Sequence, residues 1–120
     1  MSSEARRRAE RAGQLCETAT VAYLLLKGFR PLGRRVKTPV GEIDIVARRG
    51  ATVAFVEVKL RRNAPDFVLS ATNRRRIAAA AKWWLAANPS HAQYTLRFDV
   101  VIWHGPGWPR HIPAAFDAEP

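Results

Sequence analysis

The sequence predicts one α/β domain over residues 1–120, with its elements in the order αβββαβ. Two segments repeat apolar residues at the three- and four-residue steps of a helix, and shorter segments alternate apolar and polar residues as strands do. Hydrophobic residues make up 48% of the chain, which is sufficient for one core of ordinary size. The two helices are then expected to cover the apolar faces of the sheet.

The first helix is predicted over residues 3–27 from an apolar stripe at helical spacing. The stripe consists of Ala12, Cys16, Ala19, Tyr23 and Leu26, widened by Leu15, Ala22 and Leu25. Gly28 suits the position that follows the C-terminus of this helix. Residues 29–37 predict a weaker strand. Because Pro31 and Gly33 interrupt it, we expect this strand at an edge of the sheet.

Residues 42–47 and 52–60 predict two strands of a hairpin, joined by a tight turn at residues 49–50 or at residues 50–51. A loop that contains Pro65 then leads to a second helix over residues 71–87. Residues 94–103 predict the last strand. The remaining segment, residues 104–120, is rich in Gly and Pro and is predicted to be an irregular tail.

The charge of the chain favours a polyanionic partner. Its 20 Lys and Arg residues against 10 Asp and Glu residues give a formal charge of +10. Such a balance favours nucleic acid, although acidic proteins and anionic lipids also attract basic chains. No apolar run reaches the ~18 residues of a membrane span, so no membrane association is expected. A single cysteine, Cys16, excludes an intrachain disulfide, and with no secretory signal recognised a cytoplasmic location is expected.

Acidic residues are scarce, yet three of the ten lie in the hairpin. Side chains alternate along a strand, so Glu42 and Asp44 share one face, opposite Ile43 and Ile45, and Glu57 shares a face with Lys59. The turn at residues 49–50 sets Glu42 opposite Glu57, and the turn at residues 50–51 sets Asp44 there. In either register the carboxylates and the lysine gather on one face.

Carboxylates so close repel one another unless a cation joins them. A hard divalent cation such as Mg²⁺ prefers such oxygens, and it can activate water and stabilise charge on a phosphate. Lys59 suits contact with a phosphate oxygen, so these residues together are what phosphodiester hydrolysis requires. The alternative is an ordinary amphipathic sheet in which Glu57 and Lys59 form a solvated pair. The apolar stretch VAFVEVKL favours a buried strand, in which an acid requires a partner.

The stretches GEIDIVARRG and VAFVEVKLRR, together with RFDVV in the last strand, resemble the YraN-like family of uncharacterised bacterial proteins. That family is placed in the PD-(D/E)xK, or restriction-endonuclease-like, nuclease superfamily, which includes Holliday-junction-resolvase-like members. The resemblance covers most of the chain. It implies a restriction-endonuclease-like αβββαβ core, with a mixed central sheet flanked by helices. It also implies an endonuclease that uses Mg²⁺ or Mn²⁺ to cleave DNA, or alternatively a DNA- or RNA-binding module of the same fold that does not cleave.

Residue by residue, the resemblance implies that Asp44 and Glu57 bind the metal, with the backbone carbonyl of Val58 as a third ligand. Lys59 takes the place of the catalytic lysine. Glu17 matches a catalytic acid of the first helix in resolvase-like members, although an exposed helix glutamate is the alternative. Many nucleases of this kind act as dimers, so a homodimer is a further expectation.

Two basic clusters are candidate nucleic-acid-binding surfaces. They are Arg74, Arg75 and Arg76 at the start of the second helix, and Arg34, Arg35 and Lys37 near the first strand. For either cluster the alternative is a solvated face. Of Trp83 and Trp84 only one can pack in the core, while His111 is treated as a surface or structural residue and Asp99 is left out of the site.

Overall fold

The computed structural model describes residues 2–61 and 70–116. Its helices are α1 (Ser3–Leu26) and α2 (Ala71–Ala87), followed by a short 3₁₀ turn at Pro89–His91. Its strands are β1 (Arg30–Thr38), β2 (Gly41–Arg49), β3 (Thr52–Leu60), β4 (Thr95–Trp103) and β5 (Arg110–Phe116). The predicted loop around Pro65 lies outside the described residues, as does the end of the tail at residues 117–120.

Within the described ranges the strands form one mixed sheet in the order β1-β2-β3-β4-β5. β3 and β4 run parallel and the other neighbours run antiparallel. A parallel pair requires a crossover connection, and α2 lies between β3 and β4 in the sequence. β1 occupies one edge of the sheet, as its Pro and Gly predicted.

Both faces of the sheet are buried, which explains why β3 is apolar on both sides. On one face, α2 packs Ile77, Ala78, Ala81 and Trp84 against Ile43, Val46, Phe55 and their neighbours. On the other face, Leu24 of α1 packs with Phe29, Ile45, Ala47, Ala54, Val56 and Val101. The prediction that the helices cover the sheet is therefore confirmed, and Trp84 is buried while Trp83 is exposed.

Local signals place the helix ends well. The side chains of Ser2 and Ser70 accept hydrogen bonds from backbone N–H groups at the starts of α1 and α2. Gly28 follows α1 with φ +88°, a left-handed conformation that favours glycine. The bounds of α2 agree with the predicted residues 71–87.

The predicted apolar stripe of α1 is only partly right. Four of its members are half-buried, namely Ala12, Cys16, Ala19 and Tyr23, but the fully buried residues of this helix are Thr20 and Leu24. Leu26, which was assigned to the stripe, is 75% exposed. Thr20 can be buried since its hydroxyl donates to the Cys16 carbonyl at 2.6 Å and accepts from Trp103 Nε1 at 2.8 Å. One of the two fully buried positions of α1 is thus occupied by a hydroxyl whose hydrogen bonds are satisfied.

The prediction that residues 104–120 are irregular is wrong for residues 110–116, where β5 pairs with β4. The pairing is held by a buried carboxylate, Asp99, whose oxygens lie 2.8 Å from Arg97 Nε and 2.8 Å from His111 Nε2. Asp99 also accepts the backbone N–H of Ala114. Burial alone would raise the pKa of Asp99, but the hydrogen bonds from His111 and Arg97 outweigh it and hold this pKa below its ordinary value.

Candidate active site

The candidate site lies where β2 and β3 separate. The two strands pair from Arg49 opposite Thr52 to Ile45 opposite Val56, so the turn is at residues 50–51 and the alternative turn is excluded. The next pair would set Asp44 opposite Glu57, but the ladder ends before it.

Asp44 occupies the gap between the strands. Its Oδ2 accepts a hydrogen bond of 2.8 Å from the backbone N–H of Val58. The side chain thus takes the role that a backbone carbonyl of β2 has in a regular ladder. The side chains around Asp44 do not alternate as predicted, because Ile43 packs beneath α2 whereas Ile45 packs beneath α1. The carboxylate is therefore built into the sheet at an irregular position.

The irregularity continues in β1. Arg34 pairs with Ile45 and Val36 pairs with Ile43, while Arg35 between them has φ +48°. A left-handed conformation is uncommon for arginine and is found where the surroundings impose it. Arg35 points its Nε to Glu17 Oε1 at 2.8 Å, so the irregular backbone directs a cation to the acids.

Glu57 shares this environment with Asp44. Its side chain is 15% exposed, and Oε1 lies 3.4 Å from Lys59 Nζ. Burial and the charge of Asp44 raise the pKa of Glu57 to about 7. Burial also raises the pKa of Asp44, although the Val58 N–H opposes this change. Each of the two carboxyl groups, which we call the acidic pair, therefore holds a proton more readily than an isolated carboxyl group does.

Two cavities open onto the acidic pair. One, of about 180 Å³, lies on the side of α1 and is lined by Cys16, Glu17 and Lys59 among others. The other, of about 320 Å³, lies on the side of α2 and is lined by Glu42, Asn73, Arg76 and Lys59 among others. The acidic pair is consequently reached from both faces of the sheet.

Glu17 lines the cavity on the α1 side and is largely buried, with 15% of its side chain exposed. It is therefore not an exposed helix glutamate. Its ion pair with Arg35 brings one residue of the predicted β1 cluster to the site. Arg34 instead donates to the hydroxyl of Thr18 at 2.9 Å, and Lys37 is exposed on the edge strand.

The arginines at the start of α2 are distributed unequally. Arg76 lines the cavity on the α2 side, whereas Arg74 and Arg75 do not belong to its lining. Gly41 was not singled out in the sequence, yet a Cβ there would lie 2.7 Å from Arg76 Cγ. Gly41 also has φ +153°, so glycine allows the turn before β2 and the approach of Arg76 at once.

The donor atoms at the site suit a hard cation. Within residues 2–61 and 70–116, no three His, Cys, Asp or Glu side chains are grouped closely enough to hold a metal by themselves. Mg²⁺ does not require such a cage, because it commonly uses one or two carboxylates and retains several waters. The N–H and C=O of a strand residue face the same neighbouring strand, so the Val58 carbonyl faces the gap that Asp44 occupies.

Comparison with known proteins gives relatives along nearly the whole chain. A profile described as "Uncharacterised protein family UPF0102" matches residues 16–102. A UPF0102 protein of Rhodopseudomonas palustris (strain HaA2) is 54% identical over 110 residues, which are 90% of this chain and 86% of that protein. The UPF0102 protein bll0669 of Bradyrhizobium diazoefficiens is 48% identical over 120 residues, covering 98% of this chain and 90% of that protein.

Among solved structures, the chain is similar to Archaeoglobus fulgidus Hjc, a Holliday junction resolvase from an archaeal hyperthermophile. The TM-score is 0.61 and the identity 24%, over 85% of this chain and 77% of that chain. At this identity the likeness concerns the fold alone. It confirms the predicted restriction-endonuclease-like α/β fold. In the described part of the chain, no helix is long and apolar enough to cross a membrane.

Proposed function

The chain belongs to the uncharacterised protein family UPF0102, and from the geometry of its acidic pair we propose that it is a metal-dependent endonuclease that hydrolyses phosphodiester bonds in DNA. The observation that carries this proposal is the position of Asp44 in the gap between β2 and β3, next to Glu57 and Lys59. An ordinary amphipathic sheet keeps its ladder of backbone hydrogen bonds and leaves its carboxylates in water, whereas here a buried carboxylate lies where the ladder is interrupted. The nuclease-like fold supports the same conclusion.

We propose that Asp44, Glu57 and the carbonyl of Val58 hold Mg²⁺ or Mn²⁺. When bound, such an ion supplies a water of lowered pKa and offsets the negative charge that builds on the phosphate. Two carboxylates and one carbonyl leave positions for water and for a phosphate oxygen, as Mg²⁺ sites at phosphates commonly do.

The other residues orient the reactants. Lys59, held 3.4 Å from Glu57, donates to a phosphate oxygen or to the attacking water. The water oxygen forms a bond to phosphorus as the bond to the leaving sugar oxygen breaks. The proton of the water passes to a carboxylate, and the leaving oxygen takes up a proton from solvent to become a hydroxyl group. Glu17 is the carboxylate proposed for that assistance on the α1 side, where Arg35 fixes its orientation. Arg76 is proposed to contact a neighbouring phosphate from α2.

A binding module without cleavage is the second candidate function. The observation in its favour is that, among the described residues, no three His, Cys, Asp or Glu side chains are grouped as metal ligands. In that case the basic residues around the acidic pair would bind nucleic acid without hydrolysis. A homodimer with one site for each strand, and a cytoplasmic location, belong to the endonuclease proposal.

The test is a cleavage assay on single-stranded, duplex and four-way-junction DNA and on RNA, with Mg²⁺ or Mn²⁺. Wild type is compared with Asp44→Asn, Glu57→Gln and Lys59→Ala, and with Lys82→Ala as a matched control, because Lys82 is exposed on α2. We expect cleavage by wild type and by the control, and its loss in the three site variants. Cleavage that survives in all three would refute the proposed site, and tight binding without cleavage under either metal would favour the second candidate.

A further inference from the structure

A third cavity, which has basic walls, lies at the far end of the β1–β2 ladder from the acidic pair. It has a volume of about 240 Å³ and is lined by Gly28, Arg30, Arg48 and Gly50, which we call the arginine pocket. Arg48 follows Asp44 by four residues along β2, which corresponds to about 13 Å at the rise of a strand. The arginine pocket is thus separate from the acidic pair.

The pocket brings like charges together. Arg30 and Arg48 are directly opposed in the β1–β2 ladder, an arrangement that destabilises a sheet when nothing neutralises it. In residues 2–61 and 70–116, neither arginine forms an ion pair with a carboxylate. Arg49 adds a third positive charge to the same end of the hairpin. An anionic ligand would relieve this repulsion.

The structure holds Arg48 in place without neutralising it. Its Nε donates to the carbonyl of Gly50 at 2.9 Å, and its guanidinium lies 4.6 Å from the ring centroid of Tyr94. Gly50 has φ +60°, and a Cβ there would meet nothing within 4 Å. The wall formed by the turn is therefore bare backbone, and an anion can approach the guanidinium closely.

We propose that Arg30 and Arg48 bind a backbone phosphate of the nucleic acid, at a second point away from the acidic pair. This inference rests on the proposed function in taking nucleic acid as the ligand. Guanidinium groups suit phosphates because they donate two parallel hydrogen bonds to one anion. Successive phosphates of one strand in duplex DNA rise about 3.4 Å along the helix axis, so a separation of about 13 Å falls within the span of a few nucleotides. One duplex strand can then contact both points.

The test measures duplex DNA binding by fluorescence anisotropy in EDTA, so that neither metal nor cleavage contributes. Wild type, Arg30→Gln, Arg30→Lys and the control Lys82→Gln are compared over a range of salt concentrations. Arg30 is exposed, and its substitution should leave the fold intact. We expect Arg30→Gln to weaken binding about tenfold, as for one charge-assisted hydrogen bond. The slope of log K against log salt should fall by about 0.9, and Arg30→Lys should restore the slope.

Either of two results in the DNA-binding assay would overturn the inference: no DNA binding by wild type at low salt, or an affinity and slope for Arg30→Gln that match those of Lys82→Gln. A separate experiment adds inorganic phosphate and follows the melting temperatures of wild type and Arg30→Gln. If Arg30→Gln loses stabilisation by phosphate while its DNA binding is unchanged, the pocket takes a small anion and the proposal for nucleic acid is wrong. The same comparison is repeated with Glu57→Gln present in every protein. Arg30→Gln should still weaken DNA binding there, whether or not wild type cleaves DNA, so the failure of one proposal can be told from the failure of the other.

Discussion

Replacing Glu57 by glutamine should remove a pH dependence from the stability of the metal-free protein. The pKa of Glu57 is raised from its ordinary 4.5 to about 7 by burial and by Asp44, with Lys59 opposing the change. The native state therefore binds this proton more tightly than the unfolded state does. Between pH 4.5 and 7 the unfolded state has lost the proton and the native state retains it, so stability falls as pH rises through this range.

The magnitude follows from the two pKa values. The difference between 4.5 and about 7, at about 1.4 kcal/mol per pH unit, makes the cost of ionising Glu57 on the order of 3 kcal/mol. Glutamine keeps the size of the side chain and never ionises. We therefore expect Glu57→Gln to be more stable than wild type at pH 8 by a few kcal/mol, and the two proteins to differ little at pH 5.

Urea unfolding in EDTA at several values between pH 5 and pH 8 measures this difference directly. Other groups that titrate in the range affect both proteins, so the difference between them isolates Glu57. Glu10→Gln, on the exposed side of α1, serves as the matched control and should keep the profile of wild type. If the free energies of wild type and Glu57→Gln change in parallel from pH 5 to pH 8, Glu57 is not buried beside an ionised Asp44, and the geometry of the acidic pair is wrong.

Three further predictions concern stability and are measured by urea unfolding. Gly41→Ala should lose about 1–3 kcal/mol at pH 7, because φ is +153° and a Cβ would contact Arg76; an unchanged value would contradict the close approach. Asp99→Asn should lose about 3–5 kcal/mol at neutral pH, because the guanidinium of Arg97 loses its carboxylate and the hydrogen bond with His111 is altered. Because the pKa of Asp99 in the folded protein is lower than its ordinary value of 3.8, the full difference in stability is expected above pH 3.8. The difference should shrink as pH falls through the pKa of the folded state, whereas a difference that does not change with pH would exclude an ionised Asp99. Thr20→Val should lose about 1–3 kcal/mol by leaving the indole N–H of Trp103 without an acceptor, and a neutral effect would show that this hydrogen bond is dispensable.

Features with local causes could be predicted from the sequence. The bounds of α2 follow from its periodicity and from Asn88-Pro89, which ends the helix. The closeness of Asp44 and Glu57 on one face followed from alternation and turn length, although two turns remained open and only the observed ladder excludes one. The residues of the acidic pair were thus available from the sequence, whereas the break in the ladder was not.

Features caused by distant contacts could not be predicted. Thr20 is buried because Trp103, 83 residues further along the chain, donates to it, and no local pattern carries that information. β5 forms because His111 and the N–H of Ala114 reach the buried Asp99, while the sequence RHIPAAF lacks the alternation of a strand. The positive φ of Arg35 likewise accompanies an ion pair with Glu17 in another element, which no local pattern reveals.

The two outer strands of the sheet restrict how copies of this chain can assemble. Pro31 in β1 and Pro113 in β5 each lack a backbone donor, and Arg35 and Ala114 bend these strands through left-handed conformations. Outer strands with prolines and bends resist the addition of a foreign strand, which protects a protein against edge-to-edge aggregation. A homodimer of this chain is accordingly expected to join through helices or loops and not through a continuous sheet.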